Sequence, residues 1–149
     1  MNRTIPCAVA LCLVHAIGYA DTNSDAQMIK VAQNVSAHAL DPQLPRIPFA
    51  EWVRSIAAPG SRMDWEVNDC GEQTGNPADA GQDFPLCAEV RFEIRPGVVA
   101  YVDVAVGSDH HGVYGEPVVF QLFTERDGGY QHVSSLLDLK SMADARPKP

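Results

Sequence analysis

Basic side chains are scarce in this chain: 11 lysines and arginines stand against 19 acids, a formal charge of −8 at neutral pH. A surface of that sign repels phosphates, which excludes nucleic acid as a partner. Long apolar runs are scarcer still. A spanning helix needs roughly 20 apolar residues, and nothing beyond residue 20 approaches that, so no membrane partner is expected for the body of the chain. Internal repeats, low-complexity tracts and linker-like stretches are missing as well, which argues for one domain. Catalytic signatures are also lacking. There is no HExxH helix, no G-x-S-x-G elbow and no glycine loop with a basic residue opening a helix. No cofactor is implied.

Cysteine is nearly absent too. Four occur in 149 residues, and Cys7 and Cys12 fall in the first twenty. That segment, "MNRTIPCAVALCLVHAIGYA", has the layout of a secretory signal: Arg3 in a polar start, an apolar run to Ile17, and small Gly18 and Ala20 before the cleavage point. Cys12 follows Leu11 rather than a small residue, which argues against lipidation. The expected organisation is a signal over 1–20, a domain over 21–142 and a disordered tail over 143–149. Cleavage leaves 129 residues, enough for a core without a metal, and removes Arg3, so the formal charge becomes −9. The expected location is periplasmic or secreted.

In such a compartment the two remaining thiols, Cys70 and Cys87, are expected to pair. Their bond closes an 18-residue loop, and loop closure of that size is worth about 3 kcal/mol. Once oxidised, neither sulfur is a nucleophile.

Periodicity gives the fold class. In "SDAQMIKVAQNVSAHA", apolar Met28, Ile29, Val31, Ala32, Val35 and Ala39 recur at helical spacing, with Ser24 and Gln27 placed as a capping box. This predicts a helix over 25–39. Prolines 42, 45 and 48 break it, and Pro48 opens a second helix whose stripe is Phe49, Trp52, Val53 and Ile56. From Met63 the period changes to 2. Strands are predicted for "MDWEVNDC", "CAEVRFEIR", "VVAYVDVAV", "VVFQLFTER" and "YQHVSSLLDL", with turns at Pro96-Gly97 and Asp127-Gly128-Gly129. "GSDHHGVYGEP" is read as a connection. The expectation is an α+β fold: two N-terminal helices on an antiparallel four- to five-stranded meander, with one disulfide.

Candidate chemistry centres on the loop "NDCGEQTGNPADAGQDFPLC". Asp69, Glu72, Asp79 and Asp83 form an anionic face and Phe84 an apolar anchor. These acids and Asn76 are oxygen donors suited to calcium, but their spacing matches no EF-hand loop. A long closed loop is a presentation surface. His110, His111 and His132, with Glu116, are candidate zinc ligands, although adjacent histidines on an extended strand point to opposite faces. Glu89 and Glu93, interleaved with Arg91 and Arg95, read as a solvated ion-pair row. The function expected is a non-catalytic binding module of inhibitor or immunity type, meeting a basic envelope or secreted protein through the stapled loop. The alternatives are a metal-assisted hydrolase and a ligand-holding or envelope-structural protein.

Overall fold

The computed structural model of the chain describes residues 24–70, 85–108 and 112–145. Residues 1–20, expected from the sequence to be a signal, together with Glu72, Asp79, Asp83, Phe84, His110, His111 and residues 146–149, lie outside them.

Among the described residues the chain runs through helical residues 24–34 (α1), Ala37–Leu40 (α2) and Phe49–Ile56 (α3). Five strands follow: Asp64–Asp69 (β1), Pro85–Arg95 (β2), Val98–Ser108 (β3), Gly112–Arg126 (β4) and Gly129–His132 (β5). A last helix, Leu136–Asp144 (α4), closes the chain. The strands form one antiparallel sheet in the order β1-β2-β3-β4-β5, a pure meander. The α+β class, the antiparallel sheet and the disulfide therefore agree with the sequence. The strand count settles at five.

Three corrections follow. The helix expected over 25–39 breaks at Val35–Ser36, because the chain there bridges the segment before α3. Ala37 N–H donates to Ile47 O at 2.8 Å and Phe49 N–H to Val35 O at 2.8 Å. Two good backbone bonds outweigh the helical bonds they replace, and one further turn, α2, then forms. Second, the helical layer is not purely N-terminal. "SSLLDL" was expected to extend a strand, but Ser135 caps α4 by accepting the Asp138 N–H at 3.0 Å. Asp41, far away in sequence, adds a second cap by accepting the Leu137 N–H at 3.3 Å. Both bonds satisfy amides that a helix start leaves orphaned. Ala143 on α4 is buried, one position past the boundary drawn from the sequence. Third, β4 reaches back to Gly112, so most of the expected "GSDHHGVYGEP" connection belongs to a strand. Its register slips between Ala105 and Gly107 let Pro117, which cannot donate to a ladder, pass without breaking the sheet.

The helices cover one face of the sheet. From β2 that face contributes Ala88, Val90, Phe92 and Ile94, and from β3 it contributes Val98, Ala100, Val102, Val104 and Val106, all buried. Phe49, Trp52, Val53 and Ile56, the stripe expected on α3, are buried against them, with Leu136 and Leu139 from α4. Phe49 lies 5.8 Å from Trp52 and meets Trp65 of β1 edge-on at 6.2 Å. Truncating an aromatic in such a place costs about 3–5 kcal/mol. No helix among the described residues is long and apolar enough to cross a membrane.

The Asp127-Gly128 turn has both residues in the left-handed region, φ 51° and 77°. That is the conformation a two-residue hairpin needs to match strand twist, and it sets β5 against β4 with Glu125 opposite Tyr130.

Candidate binding site

The opposite face of the sheet is free of described helices, and its composition follows from the same alternation that built the core. Every residue paired with a core residue's neighbour points outward. Register places Glu66 of β1 opposite Glu89 of β2, Glu89 opposite Asp103 of β3, and Asp103 opposite Gln121 of β4. Three acids and an amide thus form one row across four strands. The adjacent row reads Asp64, Arg91, Tyr101, Phe123 and His132.

Directly opposed side chains in a sheet have Cβ atoms about 5 Å apart, so Glu89 and Asp103 meet. Burial pushes the Glu89 carboxyl up from its ordinary 4.5 to about 8, helped by its hydrogen bond to Asp103 and by the charges of Asp103 and Glu66. A hydrogen bond with Asn68 opposes the rise without cancelling it. Asp103 is also raised, first by burial; its hydrogen bond with Glu89 works the other way, and the charge of Glu66 adds to the rise. These directions describe one proton held by the pair at neutral pH, resting on Glu89 and donated to the Asp103 carboxylate. Asp103 is only 4% exposed, and its Oδ1 accepts no hydrogen bond among the described residues. Arg91 does not neutralise the pair. It lies 3.6 Å from Asp64 and interacts with Tyr101. The expected ion-pair row along β2 is therefore corrected: Glu89 is engaged across the sheet, with other acids.

Glu89, Asp103 and Gln121 of this row floor a concavity of about 810 Å³. Asn68 and Asp69 stand at its β1 end, and Phe120, Phe123, Tyr130 and His132 form the wall over β4 and β5. Phe123 stacks on Tyr101 at 4.6 Å and meets Tyr130 edge-on at 5.6 Å, while Tyr101 donates to Glu125 at 2.8 Å. Phe120 is the extra residue where the β3–β4 register shifts between Asp103 and Val104. The bulge turns it out of the core face, leaving it 50% exposed on the wall.

The disulfide joins Cys70 and Cys87, with Cα atoms 5.0 Å apart. Cys87 lies opposite Asn68, which lines the concavity, and Cys70 directly follows Asp69, which also lines it. Of the residues expected to meet a partner, Asp69 is described: it ends β1, is exposed and lines the concavity. Glu72, Asp79, Asp83 and Phe84 lie outside the described residues. Of the candidate metal ligands, His132 is exposed on β5, and no three His, Cys, Asp or Glu side chains among the described residues are placed to hold a metal ion. Ser135 serves as a helix cap.

Sequence reasoning missed the Glu89–Asp103 pair. Its signal was a lone acid in the middle of an otherwise apolar strand, "VVAYVDVAV", next to a hairpin partner that carries acids on its outer face. Comparison with known family models, curated proteins and solved structures returns no match.

Proposed function

We propose that this chain is an exported, non-catalytic binding module that seats a basic segment of another protein on the open face of its sheet, beside the Cys70–Cys87 staple. The carrying observation is the concavity itself, an anionic floor with aromatic walls on the face opposite the helices. The excess of acids over bases would steer a cationic partner to it. The staple limits the entropy lost by the loop on binding, and a disulfide fits an oxidising compartment, periplasmic or extracellular. In this reading Asp69, which lines the concavity, belongs to the contact; Glu72, Asp79, Asp83 and Phe84, expected from the sequence to meet a partner, lie outside the described residues.

The test is a titration of immobilised protein with oligo-arginine and oligo-glutamate of equal length at low and high salt. Saturable binding of the basic peptide alone, weakened by salt and by Cys70→Ala, is expected. Absence of binding to either peptide at low salt refutes the reading. The volume of the concavity lies within the range of small-molecule sites, which supports a second reading as a ligand-holding protein. A small molecule retained by the purified protein in native mass spectrometry would favour that alternative.

A further inference from the structure

We propose that Glu89 and Asp103 form a receptor for one guanidinium group, supplied by an arginine side chain of the bound protein. The inference deepens the reading above and rests on it.

Asp103 sits in the middle of the central strand, almost wholly buried, and lines the concavity; its Oδ1 has no hydrogen-bond partner among the described residues. A buried polar atom of this kind is costly unless something donates to it. A carboxylate oxygen can only accept, so the missing group is an N–H or O–H donor. The surroundings choose a cation. Glu66 adds a further negative charge on the same row, and no cation among the described residues offsets the pair. A neutral donor would satisfy Oδ1 and leave that charge standing. An ammonium would meet the charge, but it is a compact, strongly hydrated point with no planar fork. A guanidinium presents parallel N–H groups to adjacent carboxyl oxygens, and its flat face packs on aromatic rings. The rings are supplied by Phe123, one row away, and by Tyr130, which meets Phe123 edge-on from the row beyond.

Proton linkage follows. In the free protein Glu89 keeps its proton up to about pH 8. A guanidinium beside it favours the ionised form, and an opposite charge at contact lowers a carboxyl pKa by about one unit or more. Arginine binding should therefore strengthen about tenfold as pH rises from 6.5 to 9. The titratable and charged groups facing the pair are Glu66 and Asp69 of β1, Arg91 of β2, Tyr101 of β3, and Tyr130 and His132 of β5; β4 presents Gln121 and Phe123. Replacing His132 by Asn removes the imidazole from the wall, so that the pH dependence is read without it.

The experiment titrates acetyl-Gly-Arg-Gly-amide, its lysine counterpart and its citrulline counterpart into the protein, followed by backbone amide NMR, in wild-type and His132→Asn forms at pH 6.5 and 9. Saturable shifts at Asp103, Gln121 and Phe123 are expected with arginine. Lysine should bind at least about fivefold more weakly, citrulline should give no shifts, and the pH dependence should survive His132→Asn. Asp103→Asn should weaken arginine at least about tenfold. If that variant is unfolded by circular dichroism, Glu89→Gln takes its place, with loss of the pH dependence as its expected result. Equal binding of arginine and citrulline, or of arginine and lysine, overturns the receptor. Oligo-arginine binding that leaves Asp103 and Gln121 unshifted also overturns the receptor while leaving the binding module standing. Failure of oligo-arginine to bind at all overturns both.

Discussion

Replacing Glu89 by Gln should raise stability at high pH and leave it nearly unchanged at low pH. The amide keeps the shape and can still donate to Asp103, but it can no longer ionise. In the wild type Glu89 ionises near 4.5 when unfolded and at about 8 when folded. A carboxyl raised in this way contributes its full stability below the unfolded value. That contribution falls as pH rises between the two values, because unfolding then releases a proton, and it is gone above about 8. At about 1.4 kcal/mol for each pH unit, the ceiling on the loss is about 5 kcal/mol. Glu89 is only partly buried, so solvent screens the charge and a loss of about 2 kcal/mol is the realistic size. Urea denaturation of both proteins at pH 5 and pH 9, at matched ionic strength, reads the difference directly. With a urea slope of about 2 kcal/mol per molar, the variant's midpoint should exceed the wild type's by about 1 M at pH 9 and coincide with it at pH 5. An offset that is the same at both pH values would show that Glu89 is solvated and that no proton is held in the pair.

Three further outcomes test the fold. Cys70→Ala opens the 18-residue loop and should cost about 3 kcal/mol in chemical denaturation, with no change from reductant in the variant. Ser135→Ala removes the α4 cap and should cost about 1 kcal/mol, visible as a lowered melting temperature. Asp41→Ala strips acceptors from both the Gln43 and Leu137 amides and should cost about 2 kcal/mol, with amide exchange accelerating at the start of α4.

Much of this fold was legible because periodicity is a local property. The Phe49, Trp52, Val53 and Ile56 stripe appeared as a helix face and is one. The alternation in "CAEVRFEIR" and the Asp127-Gly128 turn announced hairpin strands, since two-residue side-chain spacing and left-handed turn residues need no distant partner. Non-local backbone bonds were not legible. The break at Val35–Ser36 depends on Ile47 and Phe49 lying alongside, and half of the α4 cap comes from Asp41, 96 residues away. The Ser135-x-x-Asp138 pattern was a readable start signal, overlooked because the apolar "SSLLDL" also suits a strand.

The sequence by itself determined which residues of α3 and β2 face the core and which face outward, because helical spacing and alternation are written residue by residue. It also placed a single thiol at each end of the acidic loop. Only the tertiary structure decided that Glu89 and Asp103 meet. A plain two-residue hairpin at Pro96-Gly97 would set Glu89 opposite Val104 and Val90 opposite Asp103. The register shift between Glu93 and Arg95 moves the pairing by one residue. Valine then faces valine in the core and acid faces acid outside it, because a one-residue slip would bury carboxylates among the helices.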